Sequence, residues 1–400
     1  MTNLPSKGLS RQSLSRRGLF TGVLAGASTV GALASASAGF PGAKTLAGNP
    51  IIDGDETIPA TGMHQAGIIT PPTAHIRYLA YSLKPETDRE ALTRLFRILT
   101  ADIEALTSGE PPIVDTEPEL AEVPARLTVT VGFGPELVNR VDPALRPEWL
   151  APLPAFSRDQ LGDDFNNGDL LLAISSDDPT TLAHAARMLL KSVRWFAEPL
   201  WRQDGFRYAR GSQPEGSTMR NLMGQVDGTS NPEPGTAEFD ETVWLDEGWL
   251  AGGTAIVLRR IRMELETWDM IDRPVREQAM GRDLAVGAPL TGVDEHDEPD
   301  FEAKDALGFN VIPDFAHIRR ARMGDERVYR RSVNYDDGDE QGLLFVCYQR
   351  DPLKQFVPIQ QRLDQLDLMN EWITHVGSAV FAIAPGWEPG GMLGETLLQS

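Results

Sequence analysis

One cysteine in 400 residues, Cys347, excludes an intrachain disulfide, and no Cys/His group has zinc spacing. Its setting, Leu343-Leu344-Phe345-Val346-Cys347-Tyr348, is a strand-like apolar run, so the thiol is expected as a buried small hydrophobe rather than a nucleophile. Positive charge is scarce as well. Against 58 Asp and Glu stand 37 Lys and Arg, a formal net charge of −21, which argues against nucleic-acid binding because that needs basic stripes. Beyond the N-terminus no segment is long and apolar enough to span a bilayer, and no Pro/Gly-dominated tract or charge block is present. What is there is ordinary: 41% hydrophobic content, enough for two domains or one large one.

The N-terminus reads as an address. Ser15-Arg16-Arg17-Gly18-Leu19-Phe20 places an arginine pair before a modest apolar run, and Ala34-Ser35-Ala36 and Ala36-Ser37-Ala38 offer small-residue cleavage sites. This pattern predicts a twin-arginine signal over residues 1–38, a protein exported to the periplasm or beyond, and membrane contact only during export. That route carries proteins already folded, often with a cofactor in place. Removing Lys7, Arg11, Arg16 and Arg17 and no acid takes the formal charge from −21 to −25.

Residues 39–61 read as a linker or arm, followed by two successive stretches of mixed strands and helices. In the first, residues 74–83 alternate as a strand, and Thr87 is expected to cap a helix through Leu92, Leu95, Phe96 and Leu99. Residues 127–131 and 170–174 are further strands, and a helix follows over about 180–196. In the second, a strand at 255–258 leads to a helix containing Trp268, and a strand at 343–348 leads to a helix over about 359–369. Residues 290–316, with many acids, Pro and Gly, are too long for a simple connector. The order predicts an α+β fold from a duplicated module with antiparallel sheets, divided at 62–215 and 216–400.

Chemistry concentrates in a few places. Gly224-Gln225-Val226-Asp227-Gly228-Thr229-Ser230-Asn231-Pro232 sets a carboxylate between glycines on a sharply bent segment, a setting that can serve proton transfer but more often only joins two strands. Of six histidines, His184 (on a polar helix face) and His296 (in an acidic loop) are expected to be solvated, and His64 and His375 to be structural. His317 stands apart in Pro313-Asp314-Phe315-Ala316-His317-Ile318-Arg319-Arg320, followed by Tyr329-Arg330-Arg331-Ser332-Val333-Asn334-Tyr335.

Together these motifs resemble the dye-decolourising (DyP-type) haem peroxidases. His64-Gln65-Ala66-Gly67-Ile68, Thr128-Val129-Thr130-Val131-Gly132-Phe133-Gly134, Gly168-Asp169-Leu170-Leu171-Leu172 and Phe356-Val357-Pro358-Ile359-Gln360 extend the likeness from about His64 to Gly386. The resemblance implies two ferredoxin-like modules with haem b held mainly by the second. It implies His317 as proximal iron ligand, with Gly228 and Arg319 beside the cofactor, and Asp227, Arg330 and Asn231 as peroxide-handling residues, Arg331 being the neighbouring alternative to Arg330. Ser332-Val333 departs from the Gly-Tyr often found in the family. The implied activity is reduction of hydrogen peroxide with oxidation of dyes, phenols or other small one-electron donors. A haem-handling or iron-uptake component, deferrochelatase-like, is the alternative. Tyr329, Tyr335, Trp268 and Trp372 are nameable as electron-transfer sites, but core packing is the expectation for each. A homo-oligomer is left open.

Overall fold

A computed structural model describes residues 54–400. The segment expected to be a twin-arginine signal and the first part of the 39–61 arm lie outside the described residues. In the first half, strand β1 (His75–Leu83) leads into helix α1 (Arg89–Thr107), then β2 (Thr128–Phe133), α2 (Pro135–Val141), β3 (Leu170–Ser176), α3 (Pro179–Val193) and β4 (Ala197–Phe206). A two-stranded hairpin, β5 (Met219–Arg220) and β6 (Val226–Asp227), and α4 (Ala237–Val243) open the second half. There follow β7 (Thr254–Met263), α5 (Leu265–Asp269), α6 (Arg273–Met280), α7 (His317–Ala321), β8 (Tyr329–Arg330), β9 (Val333–Asp336), β10 (Gln341–Gln349), α8 (Phe356–Leu366), β11 (Ile373–Ile383) and α9 (Glu395–Gln399).

The strand order runs β2-β3-β1-β4 in the first half and β9-β10-β7-β11 in the second, the same ferredoxin-like order twice. The halves join at both edges. β11 meets β2 through Ala382↔Phe133 and Ile383↔Gly132, and β4 meets β9 through Phe206↔Asn334. These thin seams close eight antiparallel strands into a ring. Tyr78, Ala173, Ile256, Leu344, Tyr348 and Phe381, drawn from both modules, pack together inside it. The opposite faces of the strands look outward and need covering.

The first module covers its face with long helices. In α1 the buried Leu92, Leu95, Phe96, Leu99, Ile103 and Leu106 recur every three or four residues, one continuous apolar stripe. Its cap is Asp88, not Thr87. The Asp88 carboxylate accepts from the Ala91 amide at 2.8 Å, whereas the Thr87 hydroxyl donates to the Phe196 carbonyl at 2.6 Å and pins the loop. His184 corrects a second expectation. The side chain is buried, with Nε2 2.8 Å from Asp115, because the 108–127 loop folds over that helix face.

The second module differs from the sequence reading in detail. The helix carrying Trp268 stops at Asp269, and α8 begins at Phe356 and ends at Leu366, followed by a 3-10 turn over Leu368–Glu371. Strands β4, β9 and β11 escaped the pattern search, since β4 has charged residues on its exposed face and β11 opens on Thr, His, Gly and Ser. Cys347 is buried, with burial pushing its thiol pKa well up. Trp268, Trp372, Tyr329 and Tyr335 are all buried too, with the two indoles edge to face at 5.2 Å.

Candidate functional site

A cavity of about 580 Å3 lies against the outward face of the second module's sheet, a size suited to a cofactor. β7 contributes Arg259, Ile261 and Met263 to its wall, β10 contributes Leu343 and Phe345, and β11 contributes Ile373 and His375. A register shift between His375 and Gly377 lets both His375 and Ser378 share the face that carries Arg259. The β5–β6 hairpin, α7, α8 and part of the 281–316 segment roof the space.

His317 is the first residue of α7. Its Nδ1 lies 2.6 Å from Asp367 Oδ2, while Asp367 Oδ1 accepts from the Met369 amide at 2.9 Å and caps the following 3-10 turn. The Leu368 amide donates to the Phe315 carbonyl at 3.0 Å, tying the two segments together. Asp367, silent in the sequence, is thus locked from both oxygens. Burial alone would lower the imidazole pKa, but the charge and hydrogen bond of Asp367 outweigh it and the net shift is upward. The ring is 27% exposed, and that exposure is toward the cavity. Nε2 has no protein partner among the described residues and is free to bind a ligand.

Asp227 ends β6, where it pairs with Met219 and Val226 pairs with Arg220, the two rungs of a short hairpin. Asn221 Oδ1 accepts from the Met223 and Gln225 amides across the turn, with Gly224 at φ +82°. Gly228 follows at φ +129°, lining the cavity, and a Cβ there would meet only Thr218 Cγ2 at 3.4 Å. Among protein atoms, glycine is needed for conformation rather than space. Thr218 and Thr229 both donate to Glu295 Oε1, at 2.6 and 2.9 Å, anchoring this turn to the long acidic segment.

Arg330 Nη1 lies 3.6 Å from Asp227 Oδ1, and both line the cavity. Arg331, one residue on, points to the other side of the sheet, where Nη1 donates to the Thr70 carbonyl. Asn231 is spent on Arg330. Its Nδ2 donates to the Arg330 carbonyl at 2.7 Å, and its Oδ1 accepts from the Arg330 amide at 3.0 Å and from Nε at 3.4 Å. That makes Asn231 a positioning residue for the guanidinium rather than a free donor facing the cavity.

Arg319 is not brought into the cavity. Its guanidinium donates to the Phe301 and Ile312 carbonyls and pairs with Asp314 at 3.2 Å, so it stitches the 301–314 segment to α7. Residues that sequence reasoning passed over do reach the wall. Arg282 donates to the Gly287 and Glu295 carbonyls at 2.6 and 2.8 Å, and Arg322 pairs with Glu298 at 2.8 Å. Arg259 is ion-paired with Asp159, yet its Nε and Asp159 Oδ2 are buried without partners among the described residues. His375 is held neutral, its pKa lowered to about 3 by burial and then by Arg259. His296, exposed as expected, sits on the rim.

The donor set suits haem b. One imidazole is anchored on a carboxylate with its second nitrogen free, the walls are largely apolar, and the arginines Arg259, Arg282 and Arg322 line the cavity. Among the described residues no cluster of three or more His, Cys, Asp or Glu could hold a bare metal ion.

Comparison with known proteins agrees. Residues 65–207 match the family model "Dyp-type peroxidase, N-terminal" and residues 218–388 match "Dyp-type peroxidase, C-terminal". A dye-decolorizing peroxidase of Thermobifida fusca (strain YX) is 34% identical, covering 97% of this chain and 98% of its own length. A deferrochelatase of Yersinia pestis bv. Antiqua (strain Nepal516) is 33% identical over 82% of this chain and 81% of its own. The crystal structure of a DyP-type peroxidase from Cellulomonas bogoriensis superposes with a TM-score of 0.83 at 50% identity, covering 87% of this chain and 99% of that one.

Proposed function

The chain belongs to the Dyp-type peroxidase family, haem-dependent peroxidases with haem b as cofactor and hydrogen peroxide as oxidant, and on that premise we propose that it is exported by the twin-arginine route and oxidises dyes, phenols or similar donors outside the cytoplasm. The observation that carries the site assignment is a single cavity lined by His317, tied to Asp367, and by the Asp227–Arg330 pair.

His317 would hold the haem iron through Nε2, with Arg259, Arg282 and Arg322 suited to the cofactor's carboxylates. When bound, haem supplies the redox chemistry, taking two oxidising equivalents from peroxide and passing them on singly. The protein does the rest. Asp367 fixes the His317 tautomer and strengthens the ring as an electron donor. The Asp227 carboxylate takes a proton from one peroxide oxygen and returns it to the other, which leaves as water. Arg330 keeps its positive charge throughout and offsets the negative charge that builds as the O–O bond lengthens. Asn231 holds that guanidinium in register by gripping Arg330 through backbone and side chain.

The deferrochelatase relatives make iron release from haem the rival activity. Steady-state peroxide turnover with a phenol and a dye, set beside ferrous-iron release from bound haem, separates the two. Turnover with intact haem is expected, and iron release without turnover would overturn the peroxidase reading. Export has its own test. An Arg16→Lys, Arg17→Lys double variant should stay in the cytoplasm, and normal export of that variant would remove the twin-arginine assignment.

A further inference from the structure

Inside the ring of strands, beside residues 67–73, lies a second and much smaller cavity of about 20 Å3, room for one water-sized particle. Its polar walls are donors. Among the described residues Arg207 and Arg331 contribute guanidiniums, Tyr78 and Tyr348 phenols and Thr128 a hydroxyl, while the Ser175 hydroxyl bonds that of Thr73, and no carboxylate lines it. Tyr78 and Tyr348 are 1% and 2% exposed, yet neither phenol makes a hydrogen bond among the described residues. Buried tyrosine hydroxyls nearly always find a partner. The Arg207 guanidinium likewise has neither hydrogen bond nor ion pair, and its Nε is fully buried. Arg331 spends one nitrogen on the Thr70 carbonyl and has no acidic partner among the described residues.

Two unpaired cations therefore face one small space. Burial first, and then the charge of Arg331, pull the Arg207 pKa down, so the pair repels across the cavity. A water molecule could accept two of the donors, but it would bring no negative charge between the guanidiniums, leaving Asp227 as the carboxylate that acts on Arg207. A sulfate or phosphate is too large for the volume. A monatomic anion can accept from the two guanidiniums and the two phenols and offsets the repulsion. We propose that this pocket binds a single anion of the chloride class, held between Arg207 and Arg331 with Tyr78 and Tyr348 donating to it. The site is separate from the large cavity but adjoins it, since Arg331 follows Arg330 in the chain and Asp227 lies within electrostatic range of Arg207.

The test compares thermal unfolding of the haem-loaded protein in sodium chloride and in sodium gluconate at equal ionic strength. A saturating rise of roughly 2–4 °C specific to chloride is expected. Arg207→Gln should lose that rise, and in gluconate it should unfold no lower than the wild type because a like-charge contact is gone. Wild-type crystals grown with bromide in place of chloride should show an anomalous peak between the two guanidiniums. Equal midpoints in both salts overturn the proposal. So does an undiminished chloride response in Arg207→Gln, which would put the anion elsewhere, the haem iron included. A water without anomalous signal at the position, or bromide there only at molar concentration, overturns it as well and stands even if the variant fails to fold.

Discussion

The two modules share one strand order and treat their outward faces in opposite ways. On the first, α1 and α3, 19 and 15 residues long, lay unbroken apolar stripes against Val129, Val131, Leu172 and Ile174, and the face is solid. On the second, the segment after β7 is broken into helices of five, eight and five residues. Pro274 sits at the start of α6, and Gly281 ends it in the left-handed conformation at φ +86°. Short helices cannot cover the sheet, and the cavity is what they leave. Each half also holds a His–Asp pair. In the first, His184 and Asp115 are sealed, 2% and 1% exposed; in the second, only Asp367 is sealed and His317 opens on the cavity. The same motif serves as an internal pin where packing is complete and as a ligand mount where packing stops short.

The sharpest way to break this comparison is to delete both imidazoles in turn. His317→Ala is expected to abolish stable haem binding, read as loss of the Soret band. His184→Ala should keep the band and lose about 1–3 kcal/mol of stability through the unpartnered Asp115. A normal haem spectrum in His317→Ala would end the distinction. Asp227→Asn comes next, with peroxide-dependent kcat/KM falling about 10²–10⁴-fold at unchanged haem content, and an unaltered rate would remove Asp227 from proton transfer. Asp367→Asn is expected to weaken haem binding or activity about 10–100-fold, whereas Asp115→Asn should alter the unfolding midpoint alone. The smallest effect is in the acid limb of stability. His375 is buried neutral with a folded pKa near 3, against about 6.5 when unfolded, so the unfolded chain binds the extra proton between those values. Its contribution is whole above pH 6.5 and is lost as pH falls toward 3, at up to about 1.4 kcal/mol per pH unit. His375→Gln should flatten that slope, and an unchanged slope would show the imidazole charging freely in the fold.

Much of this was legible in the chain. Alternation in Thr128-Val129-Thr130-Val131 and the three-to-four spacing of Leu92, Leu95, Phe96 and Leu99 announced elements whose burial depends only on local period. The family resemblance named Asp227, His317 and the Arg330–Arg331 pair, and Asp227, His317 and Arg330 line the cavity. His184 looked solvated and Arg319 looked cofactor-facing, yet each is claimed by a partner from another segment, Asp115 and the Phe301 carbonyl, and Asn231, expected at the peroxide, lines the cavity while gripping Arg330. Asp367 and Arg259 carried no local signal at all. Their environments are created by residues 50 and 100 positions away.

The sequence by itself determined the duplicated α+β pattern, the acidic composition and the single inert thiol, while the imidazole, the carboxylate and the arginine pair were named only through the family resemblance. The first three follow from periodicity and composition, which are short-range properties of a chain. Closure of the two sheets into one ring, the choice between Arg330 and Arg331, and the carboxylate behind His317 were decided only by tertiary structure. The choice between the arginines shows why. Neighbouring residues on a strand face opposite sides, so one places its charge by Asp227 and the next turns into the ring toward Thr70, and which side is which depends on a pairing with β10 that no local sequence records.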